Sequence, residues 1–162
     1  MDERKSNLSP MDRALGYLTS RDRTEYEMRE YLDRCQFGEA DIERTIDRLL
    51  ELRLLDDASF AERFVKTRLA AKPLSKAYLR RKLSEHHVPS EIIASALETV
   101  PENTEDENAL AIAEKFCRQF ASLDPTLRKQ RVMRRLEARG FSYDVCTRAY
   151  ETAVSNAEEE TE

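Results

Sequence analysis

The residues best suited to chemistry are few, and their spacing serves chemistry poorly. Asp56 and Asp57 form an adjacent carboxylate pair. General acid–base work needs two carboxyls that converge on one substrate, and neighbouring side chains diverge. Their place just ahead of a predicted helix gives them a simpler role, capping unpaired amides at the positive end of the helix dipole. His86 and His87 are also adjacent, so they do not face each other on a helix. No cysteine or carboxylate spacing around them completes a tetrahedral metal set. Cys35, Cys117 and Cys146 are odd in number, far apart and near apolar neighbours, with no Cys-x-x-Cys pair. They read as small buried hydrophobes in a reducing compartment. Three glycines in the whole chain leave no room for a Gly-rich phosphate loop. Nothing local supports Ser-His-Asp or Cys-His catalysis. Phe60, Phe64 and Phe116 stand at helical spacing and read as core. The expectation is a protein that is not an enzyme and has no cofactor and no metal.

What the sequence does concentrate is positive charge. The chain of 162 residues carries a formal net charge of −5, with 36% charged residues. The charge is unevenly spread. From Lys66 to Leu83 there are seven basic residues (Lys66, Arg68, Lys72, Lys76, Arg80, Arg81, Lys82) and no acid. From Arg128 to Arg139 there are six (Arg128, Lys129, Arg131, Arg134, Arg135, Arg139) against one acid, Glu137. Between the blocks, Glu91 to Glu107 holds six acids and no base, and Glu158, Glu159, Glu160 and Glu162 make an acidic tail. Lys76 and Arg80, four apart, share a helix face, and Arg80 to Lys82 fan over the side away from Leu79 and Leu83. Arg128, Arg131 and Arg135 make an i, i+3, i+7 stripe with Arg134 beside Arg131, while Val132 and Leu136 face the other way. Such stripes suit acidic protein surfaces or DNA phosphates. The plain alternative is a solvated face paired with acids elsewhere.

The elements that must position these stripes are helical. Five prolines, three glycines and no Trp argue for long helices over a turn-rich β protein. Ile42, Ile46, Leu49 and Leu50 recur at helical spacing, as do Ile92, Ile93, Ala96, Leu97 and Val100, and Ala109, Ile112, Ala113, Phe116, Cys117 and Phe120. Thr24-x-x-Glu27, Ser59-x-x-Glu62 and Thr104-x-x-Glu107 fit the capping box, and Asp124-Pro125 puts an N-cap before a first-turn proline. Leu55-Asp56-Asp57 reads as a short turn capping a helix that begins near Ala58. Nine helices are predicted, near 11–20, 24–35, 39–53, 58–71, 75–86, 90–100, 105–121, 126–139 and 143–155.

The helices repeat in threes. The middle helices Met28–Leu32, Leu79–Leu83 and Val132–Leu136 each place two apolar residues four apart. Five residues on comes Phe37, Val88 or Phe141, opening a turn into a third helix. The period, roughly 50 residues, lies in the range of helical repeats, where stacked trios cover the apolar faces that each leaves open. The fold expected is all-α, three tandem three-helix repeats in an elongated, curved array. The boundaries expected are a flexible arm over 1–10, repeats over 11–56, 57–103 and 104–155, and a disordered acidic tail over 156–162. No apolar run approaches the ~18 residues of a membrane span. The polar N-terminus lacks a signal-peptide core, so a cytoplasmic protein is expected.

Leu55, Asp56, Asp57, Phe60, Ala61, Phe64 and Val65, followed by Arg68, resemble the signature of the RecX family. Ala14, Leu15, Leu18, Arg21, Glu27, Met28, Tyr31 and Leu32 are similar to its first repeat. Arg80–Leu83 and Arg139-Gly140-Phe141 are similar to its second and third, so the likeness runs over about residues 12–154. Family members commonly carry glycines around the second middle helix. Here stand Lys72-Pro73-Leu74 and His86-His87-Val88, which predicts turns of a different shape. The resemblance implies a monomeric modulator that lies in the groove of the RecA recombinase filament on DNA. Such a protein restrains ATP turnover, filament extension and strand exchange, and with them recombination, DNA repair and the SOS response. Direct contact with single- or double-stranded DNA goes with it, and the two basic blocks are its candidate contacts. Two other readings stay open. The junctions Arg34–Glu39 and Glu85–Ser90 have the short turns of a RecA-independent helix-turn-helix nucleic-acid binder. A generic helical-repeat adaptor is the other.

Overall fold

A Ser9 hydroxyl accepts the Asp12 amide while the Asp12 carboxylate reaches back to Ser9, and Pro10 sets the first helical turn. This starts α1 (Pro10–Leu18) one residue before its expected place. The computed structural model describes residues 8–161, so most of the expected arm over 1–10 lies outside the described residues. There follow α2 (Glu25–Arg34), α3 (Glu39–Glu51), α4 (Asp57–Ala71), α5 (Lys76–Glu85), α6 (Ser90–Glu98), α7 (Thr104–Gln119), α8 (Pro125–Glu137) and α9 (Tyr143–Glu159). The described residues form nine helices and no strand.

Two of the predicted capping boxes are different in detail. The Thr24 box forms as expected. Ser59 does not open a helix. Its amide and hydroxyl both donate to the Asp56 carboxylate, at 3.0 and 2.9 Å, so Asp56 is the cap and Ser59 lies inside α4. Asp56 starts the helix three residues earlier, where its carboxylate carries the charge that the helix dipole favours. Thr104 is likewise the first residue of α7, and Asn103 precedes it without a side-chain cap. Asp124 caps α8 through the Thr126 and Leu127 amides, as predicted. Helix α9 continues past its expected end near 155 to Glu159, and Asn156 donates to Glu114 on α7 at 3.0 Å.

The middle helices α2, α5 and α8 end in the same turn. Gln36, His87 and Gly140 take positive φ, at 65°, 56° and 83°. Their amides donate to Asp33, Ser84 and Glu137, and the next amides, of Phe37, Val88 and Phe141, reach back to Leu32, Leu83 and Leu136. This is the paired bonding that satisfies orphan carbonyls at a helix end. The second turn therefore keeps the common shape although His87 stands where a glycine is usual, and the expected difference in shape is absent there. An exposed Tyr26 ring stacks on the His87 ring at 3.8 Å.

The helices pack as two units. One runs through Phe64 and takes in Leu83–Ala94; the other comprises Val65–Lys82 and the chain from Ser95. The core of the first is built from Ala14, Met28, Leu32, Ile46 and Leu49, all but fully buried, with Tyr31 and Phe37 against it. The core of the second joins α7, α8 and α9 through Ala109, Ala113, Val132, Leu136 and Cys146.

Candidate functional site

Each unit is closed by the same joint. In the second unit, Ser75 is fully buried ahead of α5. Its hydroxyl accepts the Tyr78 amide at 3.0 Å, as an N-cap does, and donates to the Arg139 carbonyl at the end of α8, 2.9 Å away. The Lys76 amide, first in α5, donates to the Glu105 carboxylate near the start of α7. In the first unit, Thr24 is fully buried ahead of α2. Its hydroxyl accepts from the Glu27 amide at 3.2 Å and donates to the His86 carbonyl at 2.9 Å. The Glu25 amide, first in α2, donates to the Asp57 carboxylate at the start of α4, at 2.9 Å. A hydroxyl can do both jobs because it is donor and acceptor at once.

The first joint is also charged. Arg21 donates to both oxygens of Glu27, and His86 Nδ1 lies 2.7 Å from Glu27 Oε1. The His86 ring meets Phe60 and Phe64 edge-on. Burial alone would raise the Glu27 carboxyl. The bonds from Arg21, His86 and the Thr24 amide outweigh it and hold Glu27 below its ordinary value. Asp57 goes the other way: burial, with Glu25, Asp56 and Glu27 nearby, pushes it up despite the bond from Glu25. Asp56 and Asp57 thus serve as caps, one for its own helix and one for α2.

Helix α8 carries Arg128, Lys129, Arg131, Arg134 and Arg135. Val132 and Leu136 are fully buried, which fixes its inward face. On one flank Arg131 lies over the Phe120 ring at 5.8 Å, and Arg135 and Arg139 lie over Phe116 at 5.1 and 5.4 Å. Phe116 and Phe120 are themselves stacked. Arg139 Nη1 also donates to the Arg135 carbonyl. Arg131, Arg134 and Arg135 are exposed, and Arg128 is half-buried. Lys129 sits apart on the other flank, over Tyr150 of α9. In the first unit Arg21, Arg29, Arg44, Arg48 and Arg63 each pair with a carboxylate. None of the ion pairs described among residues 8–161 uses Arg128, Lys129, Arg131, Arg134, Arg135 or Arg139.

The joint brings part of the first basic block to the end of α8. A Cβ on Gly140 would stand 3.0 Å from Tyr78 Cβ. The Tyr78 ring in turn carries Arg81 at 5.3 Å and Lys82 at 5.8 Å. Arg81 and Lys82 are thereby carried on the ring beside the turn that ends α8, while the Arg139 guanidinium stays over Phe116. Lys76 and Arg80 take the other flank of α5. Lys66 and Arg68 are exposed on α4, and Lys72 is exposed just after it. Sequence reasoning missed Ser75, Tyr78, Glu105 and the use of Phe116 and Phe120 as platforms. The one available signal was the pair Phe116 and Phe120, one helix ahead of the α8 arginines.

The chain matches the models for the first, second and third three-helix domains of RecX, over residues 11–49, 56–97 and 104–150. It belongs to the RecX family. The regulatory protein RecX of Halalkalibacterium halodurans is 34% identical over 149 residues, which cover 92% of this chain and 56% of that protein. This chain thus spans little more than half the length of that relative. The regulatory protein RecX of Prosthecochloris aestuarii is 31% identical over 146 residues, covering 90% of this chain and 94% of that one. The crystal structure of RecX from Lactobacillus salivarius shares the fold, with a TM-score of 0.79 over 89% of this chain and 94% of that one at 24% identity. A second crystal structure, of regulatory protein RecX, has a TM-score of 0.72 over 84% of this chain and 67% of that one at 26% identity. By its relatives' names the family is one of regulatory proteins, not of enzymes. The Leu55-Asp56-Asp57 stretch has a physical role here: Leu55 is buried, Asp56 caps α4 and Asp57 caps α2.

The cysteines are free; Cys146 is buried and Cys35 and Cys117 are half-buried. Burial raises the thiols of Cys117 and Cys146, which makes them poor nucleophiles. Among the described residues no group of His, Cys, Asp and Glu could hold a metal ion, and no helix is long and apolar enough to cross a membrane.

Proposed function

We propose that this chain binds the RecA recombinase as a DNA-bound filament and restrains its ATPase, filament extension and strand exchange. It would thereby regulate recombinational repair and the SOS response. Three repeats near 11–56, 57–103 and 104–155 carry the contact residues. The observation that carries the reading is the α8 flank. In a chain of net charge −5, Arg131, Arg134 and Arg135 stand exposed with no carboxylate partner among the described residues. An unpaired stripe attracts an acidic protein surface or phosphates at long range and orients the encounter. Arg139 continues the flank over Phe116, and Arg81 and Lys82 add positive charge on the Tyr78 ring of the same unit. The stacked rings below hold the guanidinium groups at little entropic cost, which favours planar contacts to carboxylate or phosphate.

The test is retention on preformed filaments of RecA and single-stranded DNA. Wild type co-sediments with the filament, whereas Arg131→Glu with Arg135→Glu loses at least tenfold in affinity and keeps its helical circular dichroism. Equal retention of the charge-reversed chain would remove α8 from the contact. Binding of the wild type to naked DNA alone, with a log–log salt slope of roughly −0.7 to −0.9 per phosphate, would favour the nucleic-acid reading.

A further inference from the structure

The joint between trios has a giving side and a receiving side. The giving side is the N-terminus of a middle helix, headed by a buried hydroxyl. The receiving side is the turn that ends the next middle helix. Thr24 gives to the turn at His86–Val88, and Ser75 gives to the turn at Arg139–Phe141. The first trio has the receiving turn as well. Gln36 takes φ 65°, its amide donates to Asp33 at 2.8 Å, and the Phe37 amide donates to Leu32 at 3.4 Å. Yet Thr24 and Ser75 are both engaged elsewhere, so neither sits on it. Its apolar residue shows the consequence. Phe37 is only half-buried, where Val88 and Phe141, at the same place in their turns, are 5% and 4% exposed.

The third middle helix cannot fill this turn in a second copy. At its N-terminus Asp124 replaces the hydroxyl, and an ionised carboxylate only accepts. Pro125 follows, with no amide to give. The giving side is chemically cancelled in the one trio that would be free to use it.

We propose that the Cys35–Phe37 turn is a socket for the N-terminus of an α-helix on a partner protein, one headed by Ser or Thr. The partner's hydroxyl donates to the Cys35 carbonyl, as Thr24 and Ser75 donate within this chain. Its flanking apolar residues cover Phe37. Naming RecA as that partner rests on the reading above; the socket does not.

Two measurements test it. The first titrates the isotope-labelled full chain with a stapled peptide of residues 73–86, the chain's own giving helix, and follows amide shifts. Shifts confined to 33–39 are expected, with a Ser75→Ala peptide binding roughly fivefold or more weakly, as loss of one hydrogen bond implies. No shift there at peptide excess, shifts centred on another turn, or equal binding by the Ala peptide overturns the socket. The second compares suppression of RecA ATPase by wild type and Gln36→Trp, a bulky change at an exposed position. About tenfold lower potency with unchanged helicity is expected. Equal potency overturns the assignment of the socket to RecA. If wild type itself has no effect, the RecA reading fails and the peptide titration alone decides the socket.

Discussion

The Ser75 hydroxyl lies 2.9 Å from the Arg139 carbonyl, 64 residues away in sequence, and the same oxygen accepts the Tyr78 amide. Fully buried, it satisfies two backbone groups at once. Ser75→Ala removes a helix cap and one of the two hydrogen bonds to the Arg139 carbonyl, which keeps the Ser75 amide at 3.4 Å, at a cost of about 1–2 kcal/mol. Thr24→Val should act alike in the first unit, and Thr24→Ser should be nearly neutral. Chemical denaturation measures the cost. Hydrogen exchange should show faster opening of the Gly140 and Phe141 amides in Ser75→Ala.

Gly140 is the position where a side chain fits worst. Its φ is +83°, and a Cβ there would meet Ser75 Oγ at 2.6 Å and the Tyr78 amide nitrogen at 3.1 Å. Left-handed strain of about 1 kcal/mol adds to that clash, so Gly140→Ala should cost about 2–3 kcal/mol in the same denaturation assay. His87 occupies the matching turn with a side chain that points out onto Tyr26. His87→Gly relieves the strain, loses the stack and loosens the unfolded chain, so its net effect should stay within about 1 kcal/mol.

Much of this was readable in the sequence, and the missing parts share a cause. The helices, the Thr24 and Asp124 caps and the threefold recurrence of Phe37, Val88 and Phe141 are local patterns, and local patterns survive without coordinates. Ser59 and Thr104 fit a capping motif equally well, but both lie inside their helices, because α4 starts at the Asp56 cap and α7 starts after Asn103. The joints were invisible because they pair a hydroxyl with a carbonyl more than 60 residues on. The arginine stripe of α8 was plain in its spacing. That Phe116 serves as a platform as well as a core side chain was not, since spacing alone says only that it faces inward.

Asp57 gives the first unit a pH signature. Its folded carboxyl is raised by burial. An acid raised in the folded state contributes stability that is fully present below its unfolded value and is lost as pH rises through its folded value. Glu27, held low, contributes the opposite way: its stability is present above the ordinary carboxylate range and is lost as pH falls through its folded value. Asp57→Asn keeps an acceptor for the Glu25 amide and removes the buried charge. Its stability relative to wild type should rise with pH from just below the ordinary Asp range and level off above the raised value. Urea denaturation across that interval reads it; a difference independent of pH would contradict the assignment.

The joints also set what charge reversal should do to the fold. Arg131 and Arg135 lie over ring faces, and among the described residues neither side chain has a described hydrogen bond or ion pair, so reversing them should cost under about 1.5 kcal/mol in melting experiments. Reversal that unfolds the second unit would show these arginines to be structural.

The most direct measurement is the DNA-dependent ATPase of the cognate RecA, titrated with this chain. The account predicts strong suppression below one chain per RecA monomer, and its loss in the Arg131→Glu, Arg135→Glu variant. An unchanged ATPase at molar excess of a folded, helical chain would contradict it.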